Sequence, residues 1–67
     1  MKRMYHFGLY DFADGFISEC LATDVEAAQN ILINRYYDDN DECRTIGDVM
    51  SSLAKGDLTV RTIKQDG

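Results

Sequence analysis

Tyr36 and Tyr37 lead directly into Asp38, Asp39, Asp41 and Glu42, so two aromatic rings adjoin four carboxylates. Such a run attracts cations, whether a metal ion held by converging oxygens or a basic protein surface met by solvated ones. A calcium loop of the EF-hand type requires alternating oxygen ligands, glycine at its sixth position and glutamate at its twelfth. Counted from Asp38, those positions hold Cys43 and Val49, and the pattern fails. Cys20, Cys43 and His6 lie far apart and are too few for a zinc site. The expectation is no metal and no cofactor.

Catalytic chemistry finds no better footing. His6 is the single histidine, and no serine or cysteine stands near it in a nucleophile elbow or glycine-rich loop. Asp11 or Glu19 could serve as a general base, but carboxylates on an acidic surface form such pairs by chance. Tyr5, Phe7 and Tyr10 could stack nucleobases, yet phosphate binding requires a basic surround that this chain lacks. What remains is recognition of protein. Tyrosine supplies contact area at low entropic cost, and acids steer association toward basic surfaces.

The charge distribution sharpens that reading. Of twelve acidic residues, nine fall within positions 11–42 against one basic residue, Arg35, a local charge of about −8. The flanks carry Lys2, Arg3, Arg44, Lys55, Arg61 and Lys64, and the whole chain comes to −5. Such a field repels nucleic acid and anionic membrane. No apolar run approaches the ~20 residues of a membrane span. No signal-like segment follows Lys2 and Arg3, so a cytoplasmic protein with two reduced cysteines is expected.

The elements that must position these residues follow from periodicity. One domain covers 1–67, near the lower size limit for unaided folding. Residues 4–11 alternate as a strand, with Tyr5, Phe7 and Leu9 on one face and Met4, His6, Gly8 and Tyr10 on the other. Asp14-Gly15 predicts a two-residue hairpin turn into a second strand over 16–22, with Leu9 opposite Cys20 and Phe7 opposite Ala22. Thr23-Asp24-Val25-Glu26 reads as a capping box opening a helix to about residue 37. Its stripe is Val25, Ala28, Leu32 and Tyr36, with Ile31 beside it; Ile33 and Tyr37 face another element or solvent. The acidic run ends this helix, because carboxylates oppose its negative pole. Thr45, Asp48 and Gly56 bracket a second helix over 46–55, with a stripe of Ile46, Val49, Met50 and Leu53. A last strand covers 58–64, where Leu58 and Val60 share a face, Ile63 breaks the phase, and lysine and arginine blunt an exposed edge.

The order ββααβ predicts an α+β domain, a three-stranded, mainly antiparallel sheet with two helices on one face. The other face, with Met4, His6, Tyr10 and Phe12, is then an uncovered apolar patch.

In plan the chain resembles the small acidic inhibitors that bacteriophages encode, including anti-CRISPR proteins and other mimics of nucleic acid. The features that carry the likeness are the short length, the hairpin at Asp14-Gly15, the helix opened by Thr23-Asp24-Val25-Glu26-Ala27-Ala28, and the acidic patch of residues 38–42. The resemblance implies carboxylates standing where phosphates would on a basic, nucleic-acid-handling protein such as a CRISPR effector, in the host cytoplasm. The expected function is therefore a non-enzymatic protein-binding module that contacts its partner through Tyr36, Tyr37, Asp38, Asp39, Asp41 and Glu42, without touching nucleic acid or membrane. The alternative is a structural or accessory protein that self-associates, as a homodimer, through the exposed sheet face.

Overall fold

A computed structural model of the chain describes residues 3–40 and 44–65. Strands β1 (Tyr5–Asp11) and β2 (Gly15–Ala22) form a hairpin, helices α1 (Val25–Asp39) and α2 (Ile46–Lys55) follow, and β3 (Leu58–Gln65) closes the sheet. The sheet order is β2-β1-β3 with both pairings antiparallel. The ββααβ plan and the α+β class read from the sequence are the observed architecture. β1 is the central strand, paired along both edges, whereas β3, with Arg61 and Lys64, is an edge strand.

The hairpin is not the two-residue turn expected. Residues 12–14 make the loop, and Asp11 pairs with Gly15. The Asp11 carboxylate decides this: its Oδ1 accepts the amides of Ala13 at 2.8 Å and Asp14 at 3.0 Å. Gly15 then leaves the loop at φ 81°, a left-handed conformation that suits glycine. The longer loop and a bulge in β2 at Ile17 move the register by two residues: Phe7 faces Cys20, Tyr5 faces Ala22 and Leu9 faces Ser18. The even shift keeps Ser18, Cys20 and Ala22 on their expected face, while the bulge turns Phe16 to the other one, beside Tyr10. Large residues of β1 still oppose small ones of β2, leaving room for α1. No atom lies within 4 Å of a Cβ built at Gly15, so Gly15→Ala tests the backbone alone. Forcing it into the left-handed region costs about 1–2 kcal/mol, and a thermal melt should show a midpoint lower by several degrees.

The phase break at Ile63 has a simple cause. β3 pairs through Thr62 with Phe7 and through Lys64 with His6, so Ile63 is the extra residue of a bulge. Its Cδ1 and the Tyr10 Cε2 occupy the space above Gly8, 2.9 and 2.8 Å from where a Cβ would stand. Gly8 is thus a point of close approach inside the strand.

α1 starts one residue later than the capping box implied. Asp24 is the N-cap, its Oδ1 accepting the Ala27 amide at 2.8 Å. A carboxylate competes well with a hydroxyl for this role and also favours the helix's positive end. The helix continues through Asp39 rather than stopping near residue 37. Its buried residues are Ala28, Leu32 and Ile33, with Tyr36 and Tyr37 packed half-buried against the core. Ile33 therefore faces the core, while Val25 and Ile31, expected on or beside the stripe, are 46% and 40% exposed. α2 matches its predicted bounds. Thr45 and Asp48 form the reciprocal capping box, and Gly56 closes the helix at φ 86° with amides of Gly56 and Asp57 returning to Leu53 and Ser52. Of its stripe Val49 is buried and Leu53 partly so, but Ile46 and Met50 are exposed.

One core unites the layers: Phe7, Leu9, Ala22 and Leu58 from the sheet against Ala28, Leu32, Ile33 and Val49 from the helices. Cys20 lies at its margin, with Sγ 4.0 Å from the Ala28 carbonyl oxygen. Burial pushes this thiol above its ordinary value of 9.0, with nearby Arg35 acting in the opposite direction. The folded state thus keeps the proton at pH values where the unfolded chain releases it. The stability contributed below the ordinary value is lost as pH rises through the folded one. In a Cys43→Ser background, iodoacetamide should label Cys20 much more slowly in the native protein than in urea at pH 8. The stability difference between that protein and its Cys20→Ala derivative should shrink above pH 9.

Candidate functional site

The last turn of α1 gathers Tyr36, Tyr37, Asp38 and Asp39 at one end of the molecule. The rings turn inward and the carboxylates stay exposed, as the helical repeat dictates once Leu32 and Ile33 define the buried side. The Tyr37 hydroxyl donates to the Arg44 carbonyl at 3.2 Å, joining the end of α1 to the entry of α2. The Asn40 amide returns to the Tyr37 carbonyl at 3.4 Å and caps the helix. Asp41 and Glu42, the other two acids expected at this site, lie outside the described residues, as does Cys43.

The electrostatics of this end are one-sided. No basic residue occupies the last turn, where the helix presents partial negative charge of its own. Arg35, one turn earlier, is the natural counter-ion, but its guanidinium donates to the Glu19 carbonyl oxygen at 2.8 Å on edge strand β2. Among the described residues, neither Asp38 nor Asp39 pairs with a lysine or arginine.

The catalytic candidates are placed differently. Asp11 holds the hairpin turn through its Oδ1. Glu19 lies across the sheet from it in use: its Oε2 is 4.0 Å from His6 Nδ1 on the open face. Among the described residues, no group of three or more His, Cys, Asp or Glu side chains is placed to hold a metal ion. Nor is any described helix long and apolar enough to cross a membrane.

A second surface is richer than expected. The open sheet face carries His6, Gly8 and Tyr10 from β1, flanked by Leu21, Glu19 and Phe16 from β2 and by Ile63, Arg61 and Thr59 from β3. Phe16 meets the Tyr10 ring edge-on at 5.7 Å, and the Arg61 guanidinium lies 4.0 Å over that ring. Met4 and Phe12, both expected here, are exposed, Phe12 to 90% in the hairpin loop. Phe16, Leu21, Ile63 and Arg61 were missed as members of this patch; alternation in β2 carries the signal for Leu21 alone, since Phe16 reaches this face only through the bulge at Ile17.

No protein-family model matches the chain, and no curated protein or solved structure matches it.

Proposed function

We propose that the chain is a non-enzymatic protein-binding module that docks the acidic end of α1 onto a basic surface of a partner protein. The observation that carries this reading is the pair of exposed carboxylates, Asp38 and Asp39, at the negative end of a helix without a cation in its last turn. That arrangement opposes folding, because each charge meets unfavourable helix-end potential. It strengthens the field that a cationic partner would meet. Asp41 and Glu42 extend the same charge in sequence, and the outer parts of Tyr36 and Tyr37 supply contact area beside it. The likeness in plan to phage inhibitors makes the partner a nucleic-acid-handling protein, a CRISPR effector among them, whose phosphate-binding groove the carboxylates occupy.

The test compares two variants of equal net charge. One carries Asp38→Asn, Asp39→Asn, Asp41→Asn and Glu42→Gln; the other carries Asp14→Asn, Glu26→Gln, Asp57→Asn and Asp66→Asn. Binding to an immobilised arginine-rich peptide is measured across a salt series. The first variant should lose about tenfold or more in affinity and most of the salt dependence, while the second stays close to the parent. Equal losses in both would reduce the site to bulk charge and end the proposal.

A further inference from the structure

We infer that the open sheet face is a homodimer interface, two copies packing face to face about a twofold axis parallel to β1. This inference is independent of the acidic helix end, which belongs to the other layer of the molecule.

The register supplies the argument. Gly8 pairs with Glu19 on one side and with Arg61 on the other, so the two opposite charges stand in one row across the sheet. Adjacent strands are ~4.8 Å apart, which leaves ~10 Å between the backbones carrying Glu19 and Arg61. Within one copy neither meets the other: Glu19 lies near His6 and Arg61 stacks on Tyr10. A twofold axis along β1 exchanges left and right while keeping position along the strand. It sets Glu19 of one copy opposite Arg61 of the second, and symmetry makes the contact twice. The same operation brings Leu21, in the His6 row, next to the second copy's β3 bulge, where Ile63 stands between the Gly8 and His6 rows; Leu21 and Ile63 are both exposed in a single copy. The other in-plane twofold, perpendicular to the strands, would press Glu19 on Glu19 and Arg61 on Arg61. The charges thus select one orientation of a second copy. The helices, with Glu26, Asp38, Asp39 and Asp48, then lie on the two outer surfaces, where these like charges stay apart.

Three strands of about seven residues give a plan area of roughly 14 by 23 Å. That footprint is below the ~800 Å² per partner of stable complexes, so the dimer is weak and concentration-dependent.

Sedimentation velocity from about 2 to about 200 µM covers the range expected for so small an interface. The parent should shift from monomer toward dimer across that range. Glu19→Arg should weaken association by about tenfold, since it opposes two arginines twice. It does so although the net charge of each copy falls from −5 to −3, a change that by itself favours association. Combining Glu19→Arg with Arg61→Glu should restore the parental dimer. Circular dichroism confirms that each variant is folded; should Glu19→Arg unfold, Leu21→Lys serves in its place, with loss of the dimer expected. A parent that stays monomeric throughout, or a double exchange no better than Glu19→Arg alone, overturns the inference.

Discussion

Leu32→Ala is expected to leave much of the protein unfolded at 25 °C. Leu32 has no exposed surface and lies at the centre of α1, in the cluster that joins helices to sheet. Truncating a buried leucine costs about 2–5 kcal/mol, because apolar transfer is lost and the cavity closes only partly. A core of this size holds about 3–5 kcal/mol in all. The loss is therefore comparable with the whole stability of the domain. Urea unfolding followed by far-UV circular dichroism measures it directly. Ile31→Ala is the control: its neighbour in sequence is 40% exposed and should lose well under half as much. Similar losses at both positions would mean that α1 presents a different face to the sheet.

Neutralising Asp38, Asp39, Asp41 and Glu42 should act in the opposite sense on folding while weakening binding. Asp38 and Asp39 stand in the last turn of α1, facing the helix's own negative pole and each other. Removing like charge from a helix C-terminus stabilises it by some tenths of a kcal/mol for each charge at low salt. A gain of about 1 kcal/mol in total corresponds to a rise of about 4–8 °C in the melting midpoint for a domain of this length. The gain should fade in high salt, because these groups are exposed and screened. The same variant should bind an arginine-rich surface at least about tenfold more weakly. Stability that rises while affinity falls marks residues kept for contact rather than for folding. If the midpoint drops instead, the acids support the fold, and the docking role assigned to them fails with it.

Much of the architecture was legible because local chemistry and global fold agree. α2 is the clearest case: Thr45, Asp48 and Gly56 each satisfy backbone groups within a few residues of themselves, so no distant contact is needed to bound that helix. The hairpin was readable in kind but not in register. Asp-Gly marks a turn, yet whether the turn has two residues or three depended on the Asp11 carboxylate binding two amides ahead of it. At the start of α1, Thr23 and Asp24 are both good caps, and the choice between them turns on how the chain leaves β2. The stripe of α1 was read too far toward Val25 and Ile31, because periodicity measures which residues share a side and not which side meets the sheet. At the candidate site, the order Tyr36 to Asp39 was evident from the sequence, as was its charge. The inward turn of the rings and the engagement of Arg35 with the Glu19 carbonyl were not, since the latter joins residues sixteen apart.

Composition and local pattern, acting over a few residues at a time, determined the element order, the caps of α2, the α+β class and the segregation of acid from base along the chain. The tertiary structure alone decided that β1 is central, that Ile33 rather than Val25 enters the core, and that Arg35 is withdrawn from Asp38 and Asp39. It also decided that Glu19 and Arg61 share a row with Gly8 between them. These outcomes depend on which surfaces meet when the layers close, and burial of the same few apolar side chains, satisfied only once for the whole molecule, selects among arrangements that the local pattern leaves equal.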